Sequence, residues 1–255
     1  MKDELKGKVA LITGATSGIG EATALRFAAA GARVALVGRN EDKLSQMTCE
    51  VAASDGEALG IRADVMTDNE RIIAETIEGY GRIDVLVSAA GILNNGTVES
   101  TTLAAWDEML NVNLRSCFHL MQLAVPHLQK TEGNIVNVSS VTGLRAFPGV
   151  LAYCVSKAGL DQLTRCAALE LAAQKIRVNA VNPGVVRTEV HRRGGMGEAA
   201  YEQFLQHSTT THPLGRIGEA SEVAELILFL ASSRAAWITG ATYSIDGGRA
   251  QTCAR

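Results

Sequence analysis

The chain has 255 residues, 47% of them apolar and 20% charged. This balance excludes a disordered protein and allows a sizeable core in a single domain spanning 1–255. The formal net charge of −3 comes from Lys and Arg scattered along the sequence, so no basic patch points to nucleic acid or to an acidic lipid surface.

Five cysteines, Cys49, Cys117, Cys154, Cys166 and Cys253, are odd in number and widely spaced without a CxxC pair. That argues against a disulfide framework or zinc site, so no metal is expected and a reducing compartment is. The start, MKDELKGKVALIT, offers an apolar run too short for a signal segment or a membrane span, and the expected location is cytoplasmic. The string KDEL at Lys2 to Leu5 is not C-terminal, and Cys253 stands one place too late for a prenylation box.

In chain order, β-branched runs alternate with longer helical patterns: VALIT ending at Thr13, RVALV ending at Val37, ALGIR around Gly60, IDVLV ending at Val87, NIVNVSS ending at Ser140, and IRVNAVN ending at Asn182. The runs are apolar on both faces, as strands buried between two helical layers of a parallel sheet must be. Gly31 closes the first helix, Asn40 opens the second, Asp68 opens the third, and Gly133 precedes the fifth strand. The stretch GEASEVAELILFLASS leads into ATYSIDGG, a seventh strand at the sheet edge. The fold class is α/β, a Rossmann-type doubly wound parallel sheet of about seven strands. One segment breaks the rhythm: Thr188 to Pro213 is polar and glycine-rich with a short helix, which suits a substrate lid or, on the competing reading, a surface excursion.

The first strand runs into TGATSGIG, placing Gly14, Gly18 and Gly20 where the backbone turns sharply and opens a helix. Free amides and the positive end of the helix dipole there favour a pyrophosphate. The second strand ends in Gly38 and Arg39, with no carboxylate at the turn. A guanidinium suits a phosphate on the adenosine ribose, so NADP(H) is preferred, with NAD(H) possible. The competing reading leaves Arg39 capping the turn, with Glu41 and Asp42 too far round to matter.

Tyr153 and Lys157 lie four residues apart in a helical pattern, on one face and roughly 6 Å apart along the axis. A phenol near pKa 10 exchanges protons poorly at neutral pH, and a nearby ammonium together with an oxidised nicotinamide stabilises the phenolate, making Tyr153 a workable acid and base. Thirteen residues upstream the fifth strand ends in Ser139 and Ser140, on the side of the sheet where ligands bind.

Taken together, TGATSGIG, the SAAG segment at Ser88 to Gly91, NVSS, YCVSK and NPGVVRT resemble the short-chain dehydrogenase/reductase family over nearly the whole chain. The resemblance implies that Ser140 hydrogen-bonds a substrate carbonyl oxygen, that Tyr153 protonates it, and that Lys157 lowers the tyrosine pKa and holds the nicotinamide ribose. It further implies that Asn113, in NVNL, supports a water in a proton relay. Cofactor contacts are implied at Gly14, Thr16, Ser17, Gly18, Ile19, Gly20, Arg39, Asn40, Asp64, Val65, Ala90, Gly91, Tyr153, Lys157, Pro183, Gly184, Val186 and Thr188. Among these, Asp64 would meet the adenine ring, Ala90 and Gly91 a ribose, and Thr188 the nicotinamide carboxamide. Where the family carries asparagines after the fourth strand, this chain has Ser88 and Ala89, for which a modest effect on stability is expected. A homodimer or homotetramer is implied, with the Tyr153 helix and the helix before Asn134 packing across a four-helix seam.

The expected partner is a small carbonyl or alcohol substrate. A 3-oxoacyl-carrier-protein reductase of fatty acid synthesis is the nearer alternative, in which Arg145, Arg192 and Arg193 would meet an acidic carrier. A non-catalytic dinucleotide-sensing scaffold is the alternative from another class, and the complete set Asn113, Ser140, Tyr153 and Lys157 counts against it. Cys154 reads as packing, His191 with its arginine neighbours as a solvated polar face, and the glycosylation-like Asn137-Val138-Ser139 as buried strand.

Overall fold

Seven runs rich in Val, Ile, Leu and Ala pair side by side in the computed structural model, which describes residues 4–252. Cys253 and the Lys2 and Asp3 of the KDEL string lie outside the described residues. The strands are β1 (Val9–Thr13), β2 (Arg33–Gly38), β3 (Glu57–Arg62), β4 (Val85–Ser88), β5 (Asn134–Val138), β6 (Arg177–Pro183) and β7 (Thr242–Ile245). All six pairings are parallel, in the order β3-β2-β1-β4-β5-β6-β7. The helices are α1 (Gly18–Ala29), α2 (Glu41–Ala53), α3 (Asn69–Tyr80), α4 (Leu103–Leu110), α5 (Ser116–Thr131), α6 (Val141–Leu144), α7 (Leu151–Leu171), α8 (Val190–Arg193), α9 (Glu198–Thr211) and α10 (Ala220–Ala231). A π-helical turn, Asn111–Arg115, joins α4 to α5.

Side-chain alternation explains why the central strands look apolar throughout. Leu11 and Ile12 are adjacent and fully buried, yet they belong to opposite cores. Ile12, Leu36 and Val136 pack with Phe27 of α1 and Ile227 of α10. Leu11, Leu86 and Ile135 pack with Ile72 of α3 and Leu120 of α5. Every residue of β1, β4 and β5 is buried, whereas Glu57, Gly60 and Arg62 of the edge strand β3 are exposed. The expectation of two covered faces therefore holds for the middle of the sheet and fails at β3, which has a strand neighbour on one side only.

Connections run outward from β1 in one direction to β3 and from β4 in the other to β7, so chain segments diverge at the carboxyl ends of β1 and β4. Such a reversal opens a crevice there. The expected boundaries at Gly31, Asn40 and Asp68 match the helix ends: Gly31 has φ +86°, Asn40 caps α2 by accepting from Lys43 N at 2.9 Å, and Asp68 precedes α3. The fifth ladder is shorter than the apolar run suggested, since it ends at Val138, and Ser140 instead caps α6 by accepting from Thr142 N at 3.1 Å.

Segment 188–213 holds more helix than the single short one expected, because α8 is followed by the 14-residue α9. Tyr201 and Leu205 of α9 form a small separate core with Ile217, and the Tyr201 hydroxyl donates to Thr188 O at 3.0 Å. The polar residues between them mask this apolar stripe in the sequence.

At the amino end of the sheet, buried Asp84 fastens two strands. It accepts from Val9 N at 3.0 Å, from Arg82 Nε and Nη2 at 2.8 and 2.7 Å, and from Lys8 Nζ at 3.1 Å. Removing it leaves a buried amide without a partner and two cations without their anion. Asp84→Ala is expected to lower stability by about 2–3 kcal/mol, read as a lower urea midpoint with unchanged slope. A loss below about 0.5 kcal/mol, the size of an ordinary surface change, would remove Asp84 from this role.

Candidate active site

The crevice begins at the turn after β1. Gly14 has φ +66°, and a Cβ there would lie 2.8 Å from Ala90 N. At Gly20 a Cβ would lie 2.3 Å from Gly14 O, so side chains at either position would close the turn. The hydroxyl of Thr13 accepts from the amides of Ala89 and Ala90, both at 3.1 Å, and this ties the end of β4 to the glycine turn. Ser17 stands at the N-cap of α1, but its side chain makes no cap bond. The backbone at this helix start is shaped for an anion with spread oxygens, and the bridging phosphates of a dinucleotide fit it.

Beyond the turn, Arg39 is 72% exposed and its Nη1 lies 3.8 Å from Asp64 Oδ2. Both line the crevice, with Val65. Asn40 does not, since its side chain is spent on capping α2.

The opposite end is built on α7. Lys157 is 4% exposed, its Nζ donates to Val138 O at 2.8 Å, and it sits 5.7 Å from the centre of the Tyr153 ring. Burial pushes the Lys157 pKa down, opposed by the neighbouring Cys117 and Asp161. Burial also pushes the Tyr153 phenol up to about 12, opposed by a hydrogen bond with the Ser140 side chain. Ser140 and Tyr153 both face this end of the crevice, and the protein's own surroundings favour the neutral phenol.

Asn113 is fully buried on the π-helical turn. Its Oδ1 accepts from Ile92 N at 2.9 Å, and its Nδ2 donates to Ile92 O at 2.9 Å and to Ser156 Oγ at 3.1 Å. It lies behind the crevice wall rather than on it. A Cβ on Gly91 would be 3.3 Å from Asn113 Oδ1 and 3.7 Å from Lys157 Nζ, so glycine lets the two groups share one face of the chain.

From the last residue of β6 onward, Pro183, Gly184, Val186 and Thr188 return to the crevice. Gly184 presses on His212, whose Nε2 accepts from Val185 N at 3.1 Å. Thr188 closes over the glycine turn, with its Cγ2 3.0 Å from where a Gly18 Cβ would lie. The crevice, about 960 Å³, thus runs from Arg39 and Asp64 past Gly14, Thr16, Ile19, Ala90 and Gly91 to Ser140, Tyr153 and Lys157. Past Tyr153 it is walled by Leu93, Val141, Phe147, Met196 and Phe204, with Arg249 stacked 5.1 Å over Phe147.

Two residues that sequence reasoning missed, Asn182 and Asp161, hold the Ser140 corner together with Ser139. Asn182 Nδ2 donates to Ser140 O at 2.9 Å and to Asp161 Oδ2 at 2.8 Å, while Ser139 Oγ donates to Lys157 O at 3.2 Å. Asp161 is 1% exposed and its pKa is raised by burial. Its spacing of four from Lys157 puts it on the same helical face, a signal that was available.

The basic residues expected to greet an acidic carrier are mostly committed elsewhere. Arg145 Nη1 donates to Ala250 O at 3.1 Å and to Thr252 O. Arg192 forks onto Glu198 at 2.8 and 2.6 Å and reaches Glu189 at 2.6 Å. His191 is not the solvated polar residue expected: it packs 4.5 Å from the Phe204 ring, and burial lowers its pKa.

Comparison with known proteins gives relatives over nearly the whole chain. The family model for enoyl-(acyl carrier protein) reductase matches residues 14–250. The chain is 42% identical over 248 residues to a 3-oxoacyl-[acyl-carrier-protein] reductase FabG of Thermotoga maritima, covering 96% of this chain and 98% of that protein. It is 37% identical over 252 residues to the 2,5-dichloro-2,5-cyclohexadiene-1,4-diol dehydrogenase LinX of Sphingobium indicum, covering 97% and 98%. Among solved structures it is similar to a short-chain dehydrogenase/reductase of Caenorhabditis elegans crystallised with cofactor, at a TM-score of 0.92 and 34% identity, covering 98% and 97% of the two chains.

The raised phenol is directly measurable. In ultraviolet titration of the protein without nucleotide, the difference between parent and Tyr153→Phe should show no ionisation until the pH is above 10, the ordinary value, with the phenol titrating near 12. An ionisation at or below pH 10 would show that burial does not govern Tyr153.

Proposed function

The chain belongs to the short-chain dehydrogenase/reductase family, and from that premise we propose that it interconverts a carbonyl and a secondary alcohol, using NADP(H) in preference to NAD(H), with Tyr153 as the acid and base. One observation carries the reading: Ser140, Tyr153 and Lys157 converge at one end of a crevice whose other end is a glycine turn shaped for phosphates.

When bound, the nicotinamide supplies or accepts the hydride at the carbonyl carbon. Ser140 and Tyr153 hydroxyls orient the substrate oxygen, and Tyr153 donates its proton to that oxygen in reduction and takes it back in oxidation. The buried ammonium of Lys157, held by Val138 O, favours the phenolate that remains and reaches the nicotinamide ribose. Asn113 steadies the chain at Ile92 beside Lys157 and supports the proton relay on that side. Thr16, Ser17, Gly18, Ile19 and Gly20 hold the pyrophosphate, Asp64 and Val65 the adenine, Ala90 and Gly91 a ribose. Pro183, Gly184, Val186 and Thr188 hold the nicotinamide end, Val186 through its main chain because its side chain is buried in the core.

The preference for NADP(H) rests on Arg39, an exposed guanidinium at the end of β2 whose one ion-pair partner among the described residues is a distant Asp64 carboxylate. Segment 188–213 acts as the lid of a single domain spanning 1–255. The apolar wall of Phe147, Met196 and Phe204 suits a small or medium carbonyl compound. The name of the Thermotoga relative keeps a carrier-bound 3-oxoacyl thioester as the second reading, though the internal bonds of Arg145 and Arg192 leave fewer cations for an acidic carrier. No helix among the described residues is long and apolar enough to cross a membrane. A cytoplasmic homodimer or homotetramer completes the proposal.

Tyr153→Phe should reduce NADPH-dependent turnover by at least about 10³-fold while changing NADPH affinity little; retained turnover contradicts the role of Tyr153. Arg39→Ala should weaken NADPH by about tenfold and leave NADH almost unchanged. Tighter binding of NADH than NADPH by the parent would overturn the cofactor choice. A panel of ketones, keto acids, diketones and acyl thioesters, followed by NADPH absorbance, identifies the substrate class.

A further inference from the structure

The lid brings a positive charge to the glycine turn. Arg193, the last residue of α8, donates from Nη2 to Ser17 Oγ at 2.9 Å, across 176 positions of sequence. Ser17 occupies the N-cap of α1, yet its hydroxyl is given to Arg193 instead of to the helix amides. Both side chains line the crevice, and Thr188, at the start of the lid, covers Gly18 beside them.

The contrast with the preceding residue is informative. Arg192 is neutralised by Glu189 and Glu198, whereas among the described residues no carboxylate pairs with Arg193. Glu21 lies in the first turn of α1 but makes no ion pair with it. A guanidinium beside a helix N-terminus sets two positive potentials against each other, an arrangement that disfavours lid contact by itself. An anion between them turns the repulsion into two attractions.

We propose that Arg193 is a phosphate-binding residue carried by the lid: its guanidinium grips the bridging pyrophosphate of the dinucleotide, so that segment 188–213 closes on the cofactor before it closes on substrate. The proposal rests on the dinucleotide reading above. It assigns α8 a function separate from the substrate-facing side chains of α9, and it makes lid closure respond to the charge in the cradle.

The test compares Arg193→Met with Arg192→Met and the parent, titrating NADPH and NADH by fluorescence and following proteolysis of segment 188–213 with and without ADP-ribose. ADP-ribose carries the pyrophosphate but no nicotinamide, so protection of the lid by it that adenosine alone does not give reports the phosphates and not the nicotinamide. Arg193→Met should weaken both nucleotides alike, by about ten- to hundredfold, with a shallower salt dependence, and should lose the ADP-ribose protection seen in the parent. Arg192→Met should stay within about threefold of the parent, because its charge is already neutralised. Unchanged affinity in Arg193→Met, an equal loss in Arg192→Met, or a loss confined to NADPH, which would put the guanidinium on the ribose phosphate, each overturns the proposal. A parent that binds neither nucleotide overturns the dinucleotide reading itself and this proposal with it.

Discussion

Lys157 keeps an ammonium almost entirely out of water, and the carbonyl of Val138 receives its hydrogen bond at 2.8 Å. A buried cation must be matched by fixed partners or it gives up its proton, and the chain supplies them from several elements. The carbonyl marks the last residue of β5, Asp161 lies one helical turn further along α7, and Cys117 of α5 stands beside them. Once the ammonium is placed, so is α7 relative to the sheet, and Tyr153 one turn earlier is carried to the corner formed by Ser139 and Ser140. Stability and chemistry draw on the same contact here.

The two ends of the crevice solve different electrostatic problems. At the glycine turn, backbone amides and a helix terminus provide positive potential from main-chain groups that do not titrate. At the tyrosine end a titratable phenol is held high by burial, and the groups around it set how far it falls when charge arrives. Arg39 and Arg193 stand on either side of the first problem, one at the end of β2 and one at the end of α8.

Much of this was readable in the sequence because the relevant signals are local. The run TGATSGIG specifies a turn and a helix start within eight residues, and Tyr153 with Lys157 needs only the period of a helix. The parallel, doubly wound sheet follows from the βα rhythm, whereas the order β3-β2-β1-β4-β5-β6-β7 comes only from the structure. What stayed hidden depends on contacts distant in sequence. Asn182 reaches back 42 positions to Ser140, and Thr13 reaches forward 76 to Ala89, pairings that no local pattern marks. At Asn40 the local signal is the N-cap of α2, where its Oδ1 accepts from Lys43 N, and that much the sequence marks directly. The second helix of segment 188–213 was hidden by its polar composition, since Tyr201 and Leu205 bury a narrow stripe within it.

The π-helical turn at Asn111–Arg115 acts as a phase offset between α4 and α5. An extra residue per turn rotates everything downstream relative to a continuous α-helix. Asn113 can therefore point inward at Ile92 and Ser156 while Leu120 and Leu128, further along α5, still meet the sheet. The irregularity lets one rod serve two facing directions, which a straight helix of the same length could not do.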